Sequence, residues 1–253
     1  MAGDSGFEGR VAIVTGSSKG IGRAIALALG HRGARVVVSS RDQARCDAVA
    51  GEIRSDGAEA IGVAAHMGHP DEIDGLVAAT ITAFGRIDVV VNNAATNPVV
   101  APLLEMPDDL LPKLFAVNVF GPLRLARLAA ADMANRKAGA ILNIASRAAF
   151  APEATLGPYA ASKAALVTLS KVMAIEWAPL GVRVNTIAPG PFATTMVAEL
   201  FGQEAYRRAL LDSTAQRRIA EPDEIVGAAL FLCGADATFV TGAVLAVDGG
   251  MVP

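Results

Sequence analysis

The sequence contains little cysteine and little histidine. Its two cysteines, Cys46 and Cys233, lie far apart, and its three histidines, His31, His66 and His69, show no metal-ligand spacing with them. We therefore expect neither a metal site nor a disulfide framework. Both cysteines are interpreted as ordinary thiols of a reducing compartment.

An excess of positive charge and a long apolar run are also missing. The formal net charge is −3 and the pI is near 5.7, which gives no electrostatic support for a nucleic-acid or anionic-membrane partner. Residues 1–9 lack the basic start and apolar core of a secretory signal, and no apolar run reaches the roughly 20 residues that a membrane helix needs. The sequence predicts a cytoplasmic protein with a small-molecule partner, without nucleic acid or membrane.

Apolar residues are abundant and follow an alternating pattern. Of the 253 residues, 53% are hydrophobic, and we expect a single domain over residues 1–253. Short β-branched runs alternate with helix-like stretches, which is typical of an α/β fold with a parallel sheet covered on both faces. Seven strands are predicted at residues 10–15, 35–39, 58–64, 87–92, 140–145, 182–187 and 243–247.

The first two strands enclose a helix. Ile21, Ile25 and Leu29 recur every fourth residue as an apolar stripe, and Gly33 stands where a helix C-terminal glycine would lie. Residues 10–39 are therefore predicted to form one βαβ unit.

Further helices are predicted at residues 71–84, 156–178 and 222–233. Residues 107–135 contain internal prolines, which predict a late helix start and a kink. Residues 189–213 interrupt the alternation and predict either a mobile segment that covers a site or an ordinary surface insertion.

A glycine-rich turn follows the first strand and runs directly into the first helix. Glycine allows a tight turn and lets the backbone approach a pyrophosphate, whose charge the free amides and the positive helix end stabilise. After Gly16 the next glycines stand at +4 and +6, which departs from the usual dinucleotide pattern G-x-G-x-x-G. The predicted phosphate-binding residues are Gly16, Ser18, Lys19, Gly20, Ile21 and Gly22.

The end of the second strand bears on which nicotinamide cofactor is bound. NAD enzymes place a carboxylate there for the ribose 2′-hydroxyl, but this chain has an uncharged Ser40 followed by Arg41. A guanidinium pairs well with a 2′-phosphate, and Lys19 adds a second cation. Asp42 is interpreted as the N-cap of the next helix. The pattern favours NADP(H), with NAD(H) as the alternative.

Tyr159 and Lys163 stand four residues apart on the helix predicted at residues 156–178, and therefore on one face of it. Reduction of a carbonyl by hydride requires a proton donor, and an ordinary phenol, with a pKa near 10, is poorly matched to neutral pH. We expect the ammonium of Lys163 to lower the pKa of Tyr159 and to reach the nicotinamide ribose. Tyr159 would then be the acid in reduction and the base in oxidation.

Other polar positions fit the same site. Ser146 ends the fifth strand, where ligands of open α/β sheets gather, and its hydroxyl is suited to hold the substrate oxygen. Asn93 and Ala94 follow the fourth strand on the same rim, where small side chains leave room for the cofactor. Asn118 lies inside the kinked helix, either as a buried structural amide or as the holder of a water that relays protons to Lys163.

Together these residues make the chain resemble the classical short-chain dehydrogenase/reductase family over residues 11–250. The matching motifs are T-G-x-x-x-G-x-G at residues 15–22, N-N-A-[AG] at 92–95, Asn118, Ser146, Y-x-x-x-K at 159–163 and P-G-x-x-x-T at 189–194. The resemblance implies a single doubly wound Rossmann-type domain with strand order 3-2-1-4-5-6-7. It also implies a catalytic tetrad of Asn118, Ser146, Tyr159 and Lys163, no metal in the chemical step, and usually a homotetramer.

The resemblance assigns further roles. Pro189 and Gly190 would line the nicotinamide site, Thr194 would bond its carboxamide, and Asp88 would be structural. Residues 248–250 would belong to the tetramer interface.

Within the family, residues 39–41, 66–68 and 93–98 look like the NADPH-dependent carbonyl and retinal reductases of the peroxisomal dehydrogenase/reductase group. Two positions depart from the family pattern. His66 stands where many members carry an aspartate that touches adenine, which leaves that contact mainly to the backbone of Met67. Ala95 replaces the commoner glycine. A peroxisomal location is not implied, because the sequence ends in Met-Val-Pro rather than Ser-Lys-Leu.

The predicted substrate pocket is largely apolar, with walls at residues 97–99, 147–150 and 191–200, and suits a hydrophobic carbonyl. Arg147 would select an acidic substrate unless it is a surface or interface charge. The favoured function is a carbonyl reductase or alcohol dehydrogenase. The alternatives are a 3-oxoacyl carrier-protein reductase and, from another class, a cofactor-binding sensor or scaffold without turnover.

Overall fold

Seven parallel strands form one sheet, which confirms the predicted strand count. The computed structural model of the chain describes residues 6–194 and 204–251. The strands are β1 (Val11–Thr15), β2 (Arg35–Ser40), β3 (Ala60–Ala64), β4 (Val89–Asn92), β5 (Gly139–Ile144), β6 (Val182–Pro189) and β7 (Val244–Val247). They lie in the order β3-β2-β1-β4-β5-β6-β7, as predicted. Successive strands are added on one side of β1 up to β3 and on its other side from β4 onward, so the strand order reverses between β1 and β4. In such sheets a crevice opens at the carboxyl ends of the strands on either side of that point.

The described residues form eight α-helices. They are α1 (Gly20–His31), α2 (Gln43–Ser55), α3 (Pro70–Phe84), α4 (Leu110–Phe115), α5 (Gly121–Arg136), α6 (Gly157–Trp177), α7 (Glu204–Ser213) and α8 (Val226–Cys233). The interpretation of Asp42 as an N-cap is confirmed, because its Oδ1 accepts the backbone N–H of Arg45 at 3.2 Å. Gly33 follows α1 with a φ of 85°, which the terminal glycine of a helix adopts easily.

The side chains of strand β1 enter two different cores. Every residue of this strand is buried, as expected for a central strand covered on both faces. Val14 packs with Ile25 and Leu29 of α1 in one core, and Ile13 packs in the core on the other face. The apolar stripe of the βαβ unit is therefore confirmed, and its packing positions the turn between β1 and α1 at the carboxyl end of β1.

The stretch predicted as a late-starting, kinked helix begins at Leu110. Its irregularity is a π-helical turn at Ala116–Phe120, between α4 and α5, rather than a bend at a proline. A π turn carries one extra residue, and such turns are frequent at functional sites. This turn contains Asn118.

The combined stretch Leu110–Arg136 is long and apolar enough to cross a membrane by length and composition alone, with a mean hydropathy of 1.3 over its most apolar window. The stretch is not an uninterrupted apolar run of the predicted kind, because Lys113, Arg124 and Arg127 lie within it. Half of that window is buried inside the fold, where Leu125 and Met133 belong to a core cluster. Core packing therefore accounts for these apolar side chains, and the absence of a membrane partner stays a prediction.

The predicted covering segment at residues 189–213 is described only in part. Pro189 ends β6, and residues 204–213 form α7, while residues 195–203 lie outside the described part. Its role as a cover therefore stays a prediction.

Candidate active site

One cavity of about 400 Å³ follows the carboxyl ends of the strands. Its walls include the turns after β1, β2, β3, β4, β5 and β6, so the sheet topology alone brings these segments together. Most of the predicted site residues line it: Gly16, Ser18, Lys19, Gly20, Ile21, Ser40, Arg41, Met67, Asn93, Ala94, Ser146, Tyr159, Lys163, Pro189, Gly190 and Thr194. Gly22 and Asn118 are not among the lining residues.

The glycine-rich turn is hydrogen-bonded to the turn after β4. Thr15 Oγ1 accepts the backbone N–H of both Asn93 and Ala94 at 3.1 Å. The Nδ2 of Asn93 donates to the carbonyls of Thr15 and Gly16, at 3.0 and 3.1 Å. A Cβ on Gly16 would lie 2.8 Å from the Cα of Ala94, and φ at Gly16 is +63°. Glycine is therefore required here both by space and by backbone conformation.

Gly22 packs closely against the same turn. A Cβ at Gly22 would collide with the Nδ2 of Asn93 and with the carbonyl of Gly16. Gly22 is buried and acts through this close packing rather than by facing the cavity.

The amino end of α1 is open toward an anion. Lys19 occupies the N-cap without a side-chain hydrogen bond to the helix, and the first turn contains no acidic residue. The first backbone N–H groups of a helix have no partner within it, and Gly20 and Ile21 line the cavity. This donor set fits a pyrophosphate, so the turn is suited to hold a dinucleotide cofactor.

The far end of the cavity carries positive charge. The exposed Arg41 and Lys19 line it together with Ser40 and the buried Met67. The position at the end of β2 carries the hydroxyl of Ser40 instead of a carboxylate. This hydroxyl accepts the backbone N–H of Asp42 at 3.4 Å.

His66 also lines this end, whereas the adenine contact was predicted mainly for the backbone of Met67. Its Nδ1 accepts the backbone N–H of Gly68 at 3.0 Å, and its ring stacks on His69 with the centroids 4.3 Å apart. Burial lowers the pKa of His66, and the charges of His69 and Arg41 lower it further. The imidazole is therefore neutral and presents an N–H at its other nitrogen. The sequence alone does not reveal that His66 lines the cavity, because the orientation of its ring depends on the turn that brings the N–H of Gly68 to Nδ1.

The reacting end brings Ser146, Tyr159 and Lys163 together. Ser146 follows β5, and its Oγ accepts the backbone N–H of Ala148 at 3.1 Å, which fixes the hydroxyl at the cavity wall. The hydroxyl of Ser146 interacts with the phenol of Tyr159 and lowers its pKa. The Nζ of Lys163 lies 5.8 Å from the centre of the Tyr159 ring and donates to the carbonyl of Ile144 at 2.8 Å. Lys163 is only 2% exposed, so α6 holds a charged amine inside the protein.

The direction of the tyrosine pKa differs from the sequence-based expectation. Burial raises the pKa of Tyr159 above its ordinary value, and the hydrogen bond from Ser146 only partly opposes this. Burial also lowers the pKa of Lys163 to about 8. An amine favours a phenolate only while it is charged, and Lys163 loses its proton before the phenol does. The expected lowering by Lys163 was wrong for this state of the site, because burial raises the pKa of Tyr159 and only Ser146 opposes it.

Asn118 is held by its own hydrogen bonds. Both hydrogens of its Nδ2 are donated, one to the carbonyl of Thr96 at 2.9 Å and one to Ser162 Oγ at 3.1 Å. Its Oδ1 accepts the N–H of Thr96 at 2.8 Å. These bonds tie the π turn to α6 and to the segment after β4. They favour the structural alternative for the side chain, and a water relay to Lys163 stays a prediction.

The turn after β6 packs against the chain that follows β7 and against the phosphate turn. A Cβ on Gly190 would lie 2.6 Å from the Cα of Asp248, and the methyl of Thr194 lies 3.3 Å from the position of a Cβ on Gly20. Thr194 therefore faces the phosphate turn. Asp88 lies outside the cavity and its Oδ2 accepts the N–H of Val11 at 2.9 Å, which agrees with a structural role.

The substrate wall agrees only in part with the prediction. Asn97, Arg147, Ala148, Pro191 and Phe192 line the cavity, whereas Phe150 is exposed. Three lining residues were not predicted: Glu153, Leu156 and Met251. Leu210 was not among the predicted walls, but it lies within residues 189–213, which were predicted as a covering segment or a surface insertion. Residue 251 reaches the site through long-range packing, for which the local sequence contains no signal.

Comparisons with known proteins agree on one family. The family model described as enoyl-(acyl carrier protein) reductase matches residues 16–252. Dehydrogenase/reductase SDR family member 4 of Bos taurus is 36% identical over 250 residues, which cover 99% of this chain and 90% of the relative.

Two solved structures are similar over nearly the whole chain. A 7α-hydroxysteroid dehydrogenase complexed with NADH and 7-oxoglycochenodeoxycholic acid is 33% identical, with a TM-score of 0.94 and coverage of 100% of this chain and 98% of the other. L-Sorbose reductase from Gluconobacter frateurii, complexed with NADPH and L-sorbose, is 33% identical, with a TM-score of 0.92 and 98% of each chain covered.

Proposed function

The chain belongs to the short-chain dehydrogenase/reductase family and is a nicotinamide-dependent oxidoreductase acting on carbonyl and alcohol groups; on this basis we propose that it is an NADP(H)-dependent carbonyl reductase for a small, largely apolar substrate. The observation that carries the proposal is the arrangement of Ser146, Tyr159 and Lys163 on one wall of a cavity whose other end has free helix amides and two cations.

The protein residues divide the chemistry between them. Reduced nicotinamide supplies a hydride when it is bound. Tyr159 donates a proton to the carbonyl oxygen in reduction and removes it from the alcohol in oxidation, and Ser146 holds the same oxygen by a hydrogen bond. Lys163 keeps its charge below its pKa of about 8, and this charge favours the phenolate that remains once the proton has passed to the substrate oxygen. Ala145, Ala148 and Phe192 keep the surroundings apolar, which strengthens these interactions.

Two exposed cations support NADP(H) over NAD(H). Arg41 and Lys19 line the end of the cavity where Ser40 stands in place of a carboxylate. A 2′-phosphate would gain charge-assisted hydrogen bonds from them. The test is the ratio of kcat/KM for NADPH to that for NADH, and a ratio that favours NADH would contradict this preference. NADH and NADPH each occur with one of the two structural relatives, so the family alone does not decide.

A substrate panel tests the activity. We expect NADPH oxidation with apolar ketones or quinones, because the apolar side chains of Leu156, Phe192 and Leu210 line the cavity. The panel should also contain sugars and 3-oxoacyl thioesters, both free and attached to carrier protein. Turnover confined to the carrier-linked thioesters would support the carrier-protein reductase. Tight cofactor binding without turnover on any member would support the sensor.

We also propose a homotetramer, which two separate apolar surfaces support. Phe120 and Ile175 are 60% and 76% exposed, on the π turn and on α6, which pack together. Phe239 and Leu245 are exposed near the edge strand β7. Light scattering should give a tetramer for the wild type and a dimer when only one surface receives glutamate substitutions. A monomeric wild type would contradict the proposal.

The cytoplasmic location is likewise a proposal. Its support is that Cys46 and Cys233 are both buried, free thiols. Fractionation of cells that express the protein at its native level tests it.

A further inference from the structure

Arg147 places a guanidinium at the substrate end of the cavity. It directly follows Ser146 and lines the cavity together with Tyr159 and Met251. Its side chain is 18% exposed, so it is neither a solvated surface charge nor fully removed from water. A partly desolvated cation beside the reacting centre strongly affects which charged substrates can enter.

The partner of this guanidinium is the carboxylate of Asp248. The Nε of Arg147 lies 3.4 Å from Oδ2 of Asp248, whose side chain is 14% exposed, and Nη2 donates to the carbonyl of Met251 at 3.3 Å. Both contacts are long for charge-assisted hydrogen bonds. The Nε atom is buried and has no hydrogen-bond partner among the described residues. The pair therefore compensates charge while leaving hydrogen-bonding capacity of the guanidinium unused.

The position of Asp248 does not depend on Arg147. Its Oδ1 accepts the N–H of Gly250 at 3.0 Å, and its Cα lies against Gly190. The chain beyond it pairs with another segment, since the N–H of Ala215 donates to the carbonyl of Gly250 at 3.0 Å. The backbone thus presents the carboxylate to the guanidinium, and a neutral residue of the same shape can keep this turn.

We propose that Asp248 determines substrate specificity by neutralising Arg147, so that the wild-type pocket does not favour substrates bearing a carboxylate. The inference rests on the proposed function of this site and names the residue pair that sets its charge selectivity. Without the carboxylate of Asp248, the guanidinium is left uncompensated beside Ser146. Its charge is then available to the carboxylate of a substrate in the cavity.

The test compares acids with esters of nearly the same size. The probes are para-acetylbenzoic acid and levulinic acid, each with its methyl ester, assayed with NADPH. In Asp248→Asn we expect the acid-to-ester ratio of kcat/KM to rise at least about tenfold, which is the size of one charge-assisted interaction. The ester alone should change less than about threefold, because its contacts do not include a charge.

A double variant identifies the cation responsible. Arg147→Gln combined with Asp248→Asn should return the ratio to within about threefold of the wild type, because no guanidinium remains. An unchanged ratio in Asp248→Asn would overturn the inference, and so would a rise that persists in the double variant. If thermal unfolding shows that Asp248→Asn is destabilised, Asp248→Ser keeps a hydroxyl acceptor for Gly250 and serves in its place.

A binding measurement separates this inference from the proposed function. Inactivity of the wild type toward all four probes would count against the reductase rather than against the charge pair. Calorimetric binding of para-acetylbenzoate to the NADP⁺-loaded protein then decides the inference. We expect the Kd to fall at least about tenfold in Asp248→Asn relative to wild type, and an equal Kd in both proteins would overturn it.

Discussion

The phosphate end of the cavity depends mainly on backbone conformation, whereas the reacting end depends on buried side chains. At the phosphate end, the turn around Gly16 works through backbone conformation and close packing, and its cations, Arg41 and Lys19, are exposed. At the reacting end, Tyr159 and Lys163 work through side chains whose pKa values burial shifts. Substitutions at the first end should therefore weaken cofactor binding, while substitutions at the second should stop the chemistry with the cofactor still bound.

Lys163→Met breaks the reacting end while leaving the phosphate end unchanged. Methionine fills similar space but has no charge to favour the phenolate of Tyr159. We expect kcat to fall by about 10²- to 10⁴-fold, the range of general acid–base contributions. Steady-state kinetics with a substrate from the panel measures this, and a kcat within about threefold of the wild type would mean that the amine is not needed.

Gly16→Ala breaks the phosphate end. Its Cβ would lie 2.8 Å from the backbone of Ala94 at a φ of +63°, so the turn must shift. We expect NADPH affinity to fall by about 100-fold and the free energy of unfolding to fall by about 1–3 kcal/mol.

Gly75→Ala is the matched control for this substitution. Gly75 lies within α3, and nothing stands within 4 Å of its added Cβ. This variant should bind NADPH normally and gain about 0.5–1 kcal/mol of stability. Equal NADPH affinity in the two alanine variants would contradict the role of the Gly16 turn.

Arg41→Ser separates the effect of charge from the effect of the backbone turn at the phosphate end, because it removes a charge and leaves the backbone in place. We expect the ratio of kcat/KM for NADPH to that for NADH to fall by about tenfold or more, since one charge-assisted hydrogen bond to the 2′-phosphate is lost. The efficiency with NADH should hardly change. A parallel loss with both cofactors would show that Arg41 supports the fold rather than reads the phosphate.

The smallest expected effect is a pH dependence of stability that belongs to Lys163. Its pKa is lowered to about 8 in the folded protein from 10.5, so above pH 8 the unfolded chain binds more protons and stability rises with pH. Between pH 7.5 and 9 this contributes about 1 kcal/mol. Burial raises the pKa of Cys233 to about 12, which acts in the opposite direction above pH 9.

Urea unfolding of the wild type and Lys163→Met at each pH isolates this contribution, because the cysteines cancel in the difference. A constant difference would mean that Lys163 keeps an ordinary pKa in the folded protein.

The sequence predicted the phosphate end better than the reacting end. Strand order and the turn after β1 follow from local patterns, because hydrophobic alternation and glycine spacing act over a few residues. The pKa direction of Tyr159 was not predictable, since it depends on how deeply the sheet and α6 bury the phenol. Met251 reaches the cavity through packing across the molecule, and the side chain of Asn118 proved to be held by Thr96 and Ser162.

The claim that cofactor binding and proton transfer depend on different ends of the cavity is tested most directly by a single-turnover experiment on Tyr159→Phe. The variant is loaded with NADPH and mixed with an active ketone, while NADPH loss and NADPH release are followed in the same preparation. We expect hydride transfer to slow by about 10³-fold with an unchanged release rate, because only the proton donor has been removed. Hydride transfer at the wild-type rate in the folded, NADPH-loaded variant would contradict the assignment of the proton to Tyr159.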